Sequence, residues 1–390
     1  MTNTRFKVLF LASWYPNEDH SISGIFIKRH AVAVSKYCDV AVLYVHQSEH
    51  RTSTKVEYSI EDGIKTVRVY SRKQPFKNLL LRILYNMIFN NYIINNYKGL
   101  KIIRKEFGRP DIVHLNVVLP MGYIALILDV LKGIPFVLTE HTGPFCLHMR
   151  TYPGRIMTKI ILNKARIIMP VSQALKRQMK NFYEGKNYKI IPNVIETNKF
   201  APSLNYKCKN AKKKILHVSL LTDNPKNISG LLKAIKLLSE KREDFELHIL
   251  GDGEDRTKFE TLSTKLGIKN KFVYFHGMIS NDEVANFMRA SDFFILNSNH
   301  ETFAIVCAEA LASGLPVITT KCGGPEEYID ENVGIVIELG NQIALMSAID
   351  FMLDNYSKYD PIMLHKYAEK KFGYDVVGEQ LYSLYSDTLT

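Results

Sequence analysis

The sequence predicts an α/β protein of two domains, and three observations lead to this fold class. The chain has 390 residues, too many for one ordinary hydrophobic core and suited to two domains of the usual size. Apolar residues make up 46% of the chain, which is enough to form both cores. Short apolar runs alternate with segments of helical periodicity in both halves, and that order is typical of layered α/β domains.

The net charge of +12 is concentrated in the N-terminal half. Residues 1–200 contain 30 lysines and arginines against 13 carboxylates, whereas residues 201–390 have a net charge of −5. A basic half suggests an anionic partner such as a membrane surface, a lipid-linked phosphate or a nucleic acid. A solvated basic surface that aids solubility is the alternative.

The cysteines and the N-terminus favour a cytoplasmic protein. The five cysteines are far apart, odd in number and without a CxxC pair, which favours reduced thiols over a disulfide framework or a structural zinc site. Residues 1–16 contain a short apolar run without a small-residue cleavage pattern. We therefore interpret them as a first strand and not as a signal peptide.

The most informative stretch runs from residue 297 to residue 328. An apolar run at 293–296 predicts a buried strand, a helical pattern follows, and 315–320 predicts the next strand. Ligands bind outside the carboxyl ends of such strands. The N–H groups at the helix start suit a phosphate, and Glu301 and Glu309, eight positions apart, suit sugar or ribose hydroxyls. The stretch therefore predicts a site for a sugar attached to a phosphate.

This stretch resembles the nucleotide-sugar signature of the family-4 retaining glycosyltransferases. The resemblance lies in the two glutamates, the ALASGLPVI segment at 310–318 and the Gly-Gly-Pro-Glu segment at 323–326. It implies the GT-B fold, in which two Rossmann-like domains face each other across a cleft. If the two glutamates are considered alone, the alternative to a ligand site is an ordinary helix that packs on a parallel sheet and exposes its glutamates.

The resemblance covers nearly the whole chain and implies its domain organisation. We expect residues 1–200 to form the acceptor-side Rossmann-like domain and residues 214–365 to form the domain that binds the nucleotide sugar. The lysine-rich segment 201–213 between them is interpreted as the linker. The last stretch, 366–390, is expected to be a helix that crosses back to the first domain.

Residues of the second domain are expected to hold the donor. A cation beside a helix N-terminus is unfavourable unless an anion is shared, so Lys226 is a candidate ligand for the diphosphate, and an exposed loop lysine is the alternative. By resemblance, Glu301 holds hydroxyls of the donor sugar and Glu309 holds those of the ribose. The main chain at Gly277 and Met278 is expected to contact the nucleobase. Further donor contacts are expected at the start of the signature helix, from Thr302, Phe303, Ala304 and Ile305.

The sequence departs from the family pattern at two places. The family has an arginine near the position of Leu220, so the second cation of the diphosphate site is not identified. Relatives carry Gly-Phe-Gly after the first glutamate, where this chain has Thr302-Phe303-Ala304. We expect this difference to narrow the donor pocket and to affect which sugar fits.

Two residues of the first domain are expected at the site. Gly24 precedes a predicted helix, where a glycine lets the backbone approach a ligand; a plain loop glycine is the alternative. His141 follows a predicted strand at 135–140, and the carboxyl end of a strand favours a role in a site. The resemblance implies that His141 contacts the donor sugar near the reacting centre.

Residues 75–109 form a segment rich in apolar residues with interspersed basic side chains. Arg82 and several asparagines interrupt it, so no part of it is both apolar and long enough to cross a bilayer. One interpretation is an amphipathic surface that touches an anionic membrane, where a lipid-linked acceptor would lie. The other is a pair of core helices with basic outer faces.

The resemblance implies transfer of a sugar from a UDP- or GDP-sugar to a hydroxyl group, with retention at the anomeric carbon and without a metal ion or cofactor. His141, Glu301 and Lys226 are the expected catalytic residues. The expected acceptor is a glycan or lipid-linked glycan in surface polysaccharide biosynthesis. The expected location is the cytoplasm or the cytoplasmic face of the membrane.

Two other functions stay open at the level of the sequence. One is a different GT-B enzyme, such as a nucleotide-sugar epimerase. The other is a basic protein without enzymatic activity that binds a membrane or a nucleic acid. The sequence contains no recognisable nucleic-acid-binding motif, and its acidic second half argues against broad duplex binding, so we expect no nucleic-acid partner.

Overall fold

The structure is a computed structural model that describes residues 5–48, 50–72, 91–145, 151–185, 187–203 and 212–390. The chain forms two compact units. The first unit comprises Met1–Val171, Leu175–Val194 and Tyr374–Thr390, and the second comprises Ser172–Ala174 and Ile195–Gly373. The two units are described separately below.

The sheet of the first unit has seven strands among the described residues, in the order β3-β4-β2-β1-β5-β6-β7. The strands are β1 (Lys7–Ala12), β2 (Asp39–Ser48), β3 (Lys55–Glu61), β4 (Ile64–Arg72), β5 (Ile112–Asn116), β6 (Phe136–Glu140) and β7 (Ile168–Pro170). All neighbouring strands pair in parallel except β3 and β4, which form an antiparallel hairpin. β5 and β6 are buried along their whole length, as expected for a parallel sheet covered on both faces.

Helices cover both faces of this sheet. Among the described residues of the first half of the chain, they are α1 (Ile25–Ser35), α2 (Asn91–Glu106), α3 (Gly122–Lys132), α4 (Tyr152–Lys164) and α5 (Gln173–Phe182). α1 shares a core cluster with Val42 of β2. α2 packs on the other face, because a Cβ atom on Gly99 would lie 2.4 Å from Cδ1 of Leu43 and neighbouring strand residues point to opposite faces.

α3 and α4 lie on the same face as α2. The connections from β4 to β5, from β5 to β6 and from β6 to β7 all run in one direction along the sheet, and right-handed crossovers place their helices on one face. The connection from β1 to β2 runs the other way, which places α1 on the opposite face. α3 and α4 touch each other, since a Cβ atom on Gly122 would lie 2.5 Å from Cδ1 of Ile161.

The sheet of the second unit has six parallel strands in the order β10-β9-β8-β11-β12-β13, counted over the described residues. They are β8 (Lys213–Val218), β9 (Phe245–Leu250), β10 (Val273–Gly277), β11 (Phe293–Leu296), β12 (Val317–Thr320) and β13 (Gly334–Ile337). The α-helices that the structure describes in this unit are α6 (Asp223–Lys226), α7 (Ile228–Ser239), α8 (Arg256–Lys265), α9 (Asn281–Arg289), α10 (Ile305–Ala312), α11 (Gln342–Asn355) and α12 (Pro361–Phe372). Two short 3₁₀ helices span Pro325–Glu327 and Tyr356–Lys358.

The final helix, α13 (Tyr374–Leu389), belongs to the first unit although it follows the second unit in the chain. It packs closely on α1, because a Cβ atom on Gly378 would lie 2.4 Å from the carbonyl oxygen of Ala33. The sequence predicted one helix for 366–390, whereas the structure has two helices with a break at Gly373. The backbone of Gly373 is extended, with φ −65° and ψ 157°, and α12 therefore ends there.

Two predicted segments lie partly outside the described residues. Residues 75–90 of the segment 75–109 and residues 204–211 of the predicted linker are not described. The strand β3 was not predicted from the sequence. Within the described ranges, no helix combines the length and the hydropathy needed to cross a bilayer.

Candidate functional site

The strand order of the second unit reverses between β8 and β11. From β8 the chain continues to β9 and β10 on one side, and it then returns to β11 on the other side of β8. In parallel sheets, ligands bind at such a switch point, outside the carboxyl ends of the two central strands. A ligand site is therefore expected at the loops that follow β8 and β11, and these loops carry Lys226 and Glu301.

An ion pair between Lys226 and Glu301 joins these two loops. Nζ of Lys226 lies 2.5 Å from Oε1 of Glu301, and the two side chains are only 20% and 12% exposed. The hydroxyl group of Ser298 donates a hydrogen bond of 2.7 Å to the same carboxylate oxygen. The carboxylate of Glu301 is thus held by one cation and one hydroxyl donor, which limits its orientation.

Backbone hydrogen bonds hold the same two loops together. The N–H of Asn299 donates to the carbonyl oxygen of Pro225 at 2.7 Å, and Nδ2 of Asn297 donates to the carbonyl oxygen of Asn227 at 3.0 Å. Lys226 is the last residue of the short helix α6, and one residue in the left-handed conformation, Asn227, separates it from α7. Lys226 therefore stands at the N-terminus of α7, where the sequence placed it.

The segment Gly323-Gly324 approaches the backbone after Glu301 closely. The N–H of Gly324 donates to the carbonyl oxygen of Glu301 at 3.0 Å. A Cβ atom on Gly324 would lie 2.4 Å from the carbonyl oxygen of Thr302, and Gly323 has a φ of +118°. Only glycine meets both requirements without strain, which gives a steric reason for this part of the signature.

The loop from Thr302 to Ile305 leads directly into α10. Phe303 and Ala304 are 3% and 8% exposed. The hydroxyl group of Tyr328 lies 2.8 Å from the carbonyl oxygen of Phe303 and 2.9 Å from that of Ala304. Burial raises the pKa of Tyr328 well above its usual value, so the hydroxyl group keeps its proton and can donate it to these carbonyls. The amides at the start of α10 are therefore presented from a fixed loop.

Glu309 lies inside α10, one turn after the first residue of the helix. Its side chain is 7% exposed, and its carbonyl oxygen accepts a hydrogen bond of 2.9 Å from the N–H of Ser313. A carboxylate on an ordinary surface helix would be exposed. The burial of Glu309 therefore argues against the exposed alternative for this residue, while its role toward a ribose stays a prediction.

The ends of β8, β9 and β10 lie side by side at this edge of the sheet. The N–H of Gly251 donates to the carbonyl oxygen of Gly277 at 2.8 Å, and the N–H of Leu221 donates to that of Asp252 at 2.9 Å. Gly277 has a φ of +75°, and the side chain of Met278 is 58% exposed. Both residues are thus at the carboxyl edge that also carries Lys226, and their contact with a nucleobase stays a prediction.

A second cation reaches the loop that follows β8. Nζ of Lys258, in α8, lies 2.9 Å from Oδ2 of Asp223, which precedes Lys226 in the same loop. Leu220, at the position near which the family has an arginine, is 57% exposed. No local sequence pattern connects Lys258 to this loop, so the sequence could not reveal it.

In the first unit, Gly24 occupies a position that only glycine can fill. Its backbone is left-handed, with φ +64°, and a Cβ atom would lie 2.4 Å from the carbonyl oxygen of Trp14. These two facts explain the glycine without reference to a ligand. Its proposed contact with the donor therefore stays a prediction.

The orientation of His141 is determined by Asn193. Nδ1 of His141 lies 3.0 Å from Oδ1 of Asn193, and the two residues are 8% and 4% exposed. Burial, and then repulsion from His30, keep the pKa of His141 well below its usual value, so the ring is neutral at pH 7. Because an amide oxygen only accepts hydrogen bonds, Nδ1 carries the proton and Nε2 carries the lone pair.

The backbone that carries His141 is held by the buried carboxylate of Glu140. Its Oε1 accepts from the N–H groups of His141 and Thr142 at 2.9 and 2.8 Å, and its Oε2 accepts from that of Val118 at 2.9 Å. The ring of Phe26, two residues after Gly24, lies 4.5 Å from that of His141. The structure therefore brings the loop of Gly24 and His141 together within the first unit.

The structure also locates the cysteines and the remaining candidates for metal ligands. Cys38, Cys307 and Cys322 are buried free thiols, and Cys146 and Cys208 are outside the described residues. Across the ranges that the structure describes, no three histidine, cysteine or carboxylate side chains are grouped so that they could hold a metal ion.

Two family models match consecutive parts of the chain. The model described as "Glycosyltransferase Family 4" matches residues 38–199, and the model described as "Glycosyl transferases group 1" matches residues 205–371. An uncharacterised glycosyltransferase of Methanocaldococcus jannaschii is 30% identical over 275 residues, which cover 68% of this chain and 71% of that protein. A putative teichuronic acid biosynthesis glycosyltransferase of Bacillus subtilis, TuaC, is 24% identical over 370 residues, 88% of each chain.

Solved structures share the fold of nearly the whole chain. Sucrose-phosphate synthase from Thermosynechococcus elongatus has a TM-score of 0.77 at 17% identity, covering 98% of this chain and 99% of that one. HepE of Anabaena, solved in complex with UDP-glucose, has a TM-score of 0.70 at 19% identity, covering 98% of this chain and 100% of that one. These structures show that the fold is GT-B. The family models and the relative from Methanocaldococcus jannaschii define the class as an enzyme that transfers sugars.

The chain belongs to the family-4-like glycosyltransferases. The resemblance seen in the sequence and the predicted fold class are thereby confirmed. Enzymatic function is likewise supported over a role as a binding protein only. The residues assigned to the site and the details of the reaction stay predictions.

Proposed function

We propose that this enzyme transfers a glycosyl group from a UDP- or GDP-sugar to a hydroxyl group, with retention at the anomeric carbon and without a metal ion. The observation that carries the proposal is the Lys226–Glu301 pair at the switch point of the second unit, directly before the start of α10. A cation, a helix N-terminus and a carboxylate in one place suit a diphosphate and the sugar attached to it. The GT-B fold shared with HepE, which was solved with UDP-glucose, supports the same class of donor.

Lys226 and the start of α10 are proposed to stabilise the leaving group. When the bond between the anomeric carbon and the diphosphate oxygen breaks, negative charge develops on that diphosphate. The ammonium group of Lys226 and the N–H groups from Thr302 to Ile305 would stabilise this charge, with help from the helix dipole. Because these donors are held in place before the reaction, no reorganisation is needed as the charge appears.

Glu301 and Glu309 are proposed to bind hydroxyl groups. An ionised carboxylate accepts hydrogen bonds and does not donate them, so it orients hydroxyl donors of a sugar. Glu301 would bind the donor sugar and Glu309 the ribose, while the main chain at Gly277 and Met278 would contact the nucleobase. The buried position of Glu309 and the fixed orientation of Glu301 support these roles.

His141 is proposed to contact the donor sugar near the reacting centre, and Gly24 to line the same region. The lone pair on Nε2 of the neutral ring would accept a hydrogen bond from a sugar hydroxyl. For a retaining reaction we propose that the acceptor hydroxyl attacks from the side of the leaving group. Its oxygen bonds to the anomeric carbon, and its proton passes to the departing phosphate, so no protein nucleophile is required.

The proposed acceptor is a glycan or lipid-linked glycan of a surface polysaccharide, reached at the cytoplasmic face of the membrane. TuaC is named for teichuronic acid biosynthesis. A Campylobacter jejuni relative, 27% identical over 243 residues that cover 60% of this chain and 65% of that protein, is named for transfer of N-acetylgalactosamine to a diphospho-undecaprenol glycan. The basic N-terminal half of this chain suits such an anionic acceptor.

The test is a panel of UDP- and GDP-sugars incubated with the purified chain in the presence of EDTA. We expect release of the nucleoside diphosphate from one donor, and NMR of the first-formed glycoside should show the anomeric configuration of that donor. A requirement for a divalent ion would contradict the metal-free mechanism, and an inverted product would contradict retention. Conversion of the donor into an epimer without transfer would instead indicate a nucleotide-sugar epimerase.

A further inference from the structure

α4 presents a row of exposed apolar side chains to solvent. Tyr152, Ile156 and Ile160 are 76%, 44% and 43% exposed, and their spacing of four residues places them along one side of the helix. The opposite side of α4 is buried, with Ile161 and Leu162 fully covered. α4 is thus apolar on its outer side as well as on its inner side.

The two helices on the same face of the sheet show the same feature. In α3, Ile127, Val130 and Leu131 are 36%, 66% and 69% exposed, and in α2, Ile93, Ile94 and Tyr97 are 37%, 46% and 59% exposed. We refer to the outer sides of α2, α3 and α4 together as the α2–α4 layer. Soluble surfaces usually carry single exposed apolar residues, so a cluster over three neighbouring helices indicates an interaction surface.

Basic side chains surround these apolar residues. The three helices contain eight lysines and arginines and two carboxylates among their described residues. The basic residues are Lys98, Lys101, Arg104, Lys105, Lys132, Arg155, Lys159 and Lys164. In the described part of the chain, the three on α4 form no ion pair with a carboxylate, and Lys159 lies over the ring of Phe182. Their charges are therefore not neutralised by a carboxylate of the protein.

The other face of the same sheet carries a nearly balanced charge. α13, which lies there with α1, carries Asp375, Glu379 and Asp387 and no lysine or arginine. α1 carries Lys28 and Arg29 and no carboxylate. The helices of the α2–α4 layer therefore carry more positive charge than the helices on the opposite face.

We propose that the α2–α4 layer is the surface by which this protein lies on an anionic lipid bilayer. Exposed aliphatic side chains can enter the region between headgroups and acyl chains, while flanking lysines and arginines extend toward anionic headgroups. Tyr97 and Tyr152 suit the interface itself, where amphipathic aromatic rings are enriched. A nucleic acid would match the charge but would leave five exposed isoleucines and two other aliphatic side chains without a partner.

This surface complements the proposed lipid-linked acceptor, but its assignment does not depend on the transfer reaction. It also extends the membrane surface expected from the segment 75–109. Only α2 lies within that segment, and α3 and α4 were not singled out by the sequence. The layer becomes apparent only when the right-handed connections place the three helices on one face.

The experiment is flotation of the full-length chain with vesicles of phosphatidylcholine, with or without phosphatidylglycerol. We expect binding only to the anionic vesicles. The double variant Ile156→Ser with Ile160→Ser should bind at least ten-fold more weakly, because it removes apolar area at the interface. The variant Lys159→Glu with Lys164→Glu should lose about five-fold or more per charge, since each basic residue near such a surface contributes about that factor.

Matched controls use exposed residues of the second unit. Ile343→Ser removes an isoleucine that is 69% exposed, and Lys233→Glu reverses an exposed lysine. Both should bind vesicles like the unchanged chain. Circular dichroism and the thermal midpoint show whether each variant is folded, and hydrolysis of the donor sugar in solution shows whether its catalytic site is intact.

Two results would overturn the proposal. One is binding to anionic vesicles that is the same for the α4 variants and the unchanged chain. The other is a dimer of the unchanged chain that becomes a monomer in the Ile156→Ser, Ile160→Ser variant, since the layer would then be covered by a second copy. Failure of donor hydrolysis in every protein, with vesicle binding as expected, would contradict the proposed function and leave this surface assignment standing.

Discussion

At the scale of single residues, the carboxylate of Glu301 depends on two donors that differ in charge. Lys226 contributes a cation at 2.5 Å and Ser298 a neutral hydroxyl at 2.7 Å. If Lys226 also stabilises the leaving diphosphate, its replacement should affect the reaction far more than replacement of Ser298. The pair of variants therefore separates charge stabilisation from simple positioning of Glu301.

We predict that Lys226→Met lowers kcat by about 10²- to 10³-fold, the range seen when one donor to a developing charge is removed. Ser298→Ala should lower it by about ten-fold or less, because Lys226 still holds the carboxylate. Steady-state rates with the preferred donor sugar measure both effects. Equal losses in the two variants would mean that Lys226 only positions Glu301.

His141 provides a second test at this scale, through the tautomer that Asn193 imposes. Asn193→Leu removes the acceptor for Nδ1–H, so both tautomers become populated, and we predict a rate loss of about 10- to 100-fold, as found for partners that orient a functional histidine. Asn193→Asp keeps the acceptor and adds a negative charge. The pKa of His141 should then rise, and the acidic limb of the pH–rate profile should move to higher pH.

The ¹⁵N chemical shifts of the His141 ring report the tautomer directly. His30, His114 and the carboxylate of Glu140 also lie close enough to influence the titration of His141. The two variants therefore keep all three of these residues. Protonation at Nε2 in the unchanged protein would show that the amide group of Asn193 faces the ring with its nitrogen. The role assigned to the lone pair on Nε2 would then be wrong.

At the scale of elements, the start of α10 contains a residue in a conformation that suits glycine. Ala304 has φ +60° and ψ 71°, and this left-handed conformation costs a residue with a Cβ atom about 1 to 2 kcal/mol. The sequence comparison with the family already identified this position, since relatives carry glycine there. The structure adds the physical reason and shows how the strained residue is held, through the hydroxyl group of Tyr328.

Ala304→Gly should therefore stabilise the chain by up to about 1 kcal/mol, because relief of the strain is partly offset by the greater freedom of glycine in the unfolded chain. Ala308→Gly, four residues later inside the same helix and fully buried, should destabilise it by about 1 kcal/mol or more. Urea unfolding measures both. Destabilisation by both substitutions would show that Ala304 is not strained.

The elements of the signature were predictable from the sequence because their pattern is local. The strand at 293–296, the helix after Ala304 and the next strand follow each other within one βαβ unit, and the structure shows β11, α10 and β12 there. The contacts of Ser298, Lys258 and Asn193 were not predictable. The contacts of Lys258 and Asn193 join segments that are distant in the sequence, and no spacing encodes them. Ser298 is only three residues from Glu301, but the sequence does not show which way either side chain points.

At the scale of the whole molecule, the two α/β units were predictable from chain length and from the alternation of strands and helices. The end of the second unit was less predictable from the sequence. Apolar spacing continues through residues 363–384, and the sequence therefore favoured one final helix over two. The break lies at Gly373, whose backbone is extended, and α13 then packs against α1 of the first unit. That packing joins residues distant in the sequence, and no local pattern predicts it.

Buried histidines in both units make the stability of the whole chain dependent on pH. Burial lowers the pKa of His30 and of His217 from 6.5 to about 4, and it lowers those of His114 and His141 well below 6.5. Between these values the unfolded chain binds protons that the folded chain excludes. The contribution of these histidines to the free energy of unfolding is therefore fully present above about pH 6.5, and it is lost as the pH decreases below that value.

For His30 alone, lowering the pH from above 6.5 to about 5 should cost about 2 kcal/mol, since each pH unit in this window contributes about 1.4 kcal/mol. We predict that His30→Leu lowers the slope of the unfolding free energy against pH by the equivalent of about one bound proton. This change in slope is expected whatever the substitution does to the stability at pH 8. His50→Gln, at an exposed position, should leave the slope unchanged. Urea unfolding across pH 5 to 8 measures the slope for each protein. If the slope for His30→Leu equals that of the unchanged chain, His30 takes up its proton in the folded state. The conclusion that the ring of His30, beside His141, is neutral in the folded chain would then be wrong.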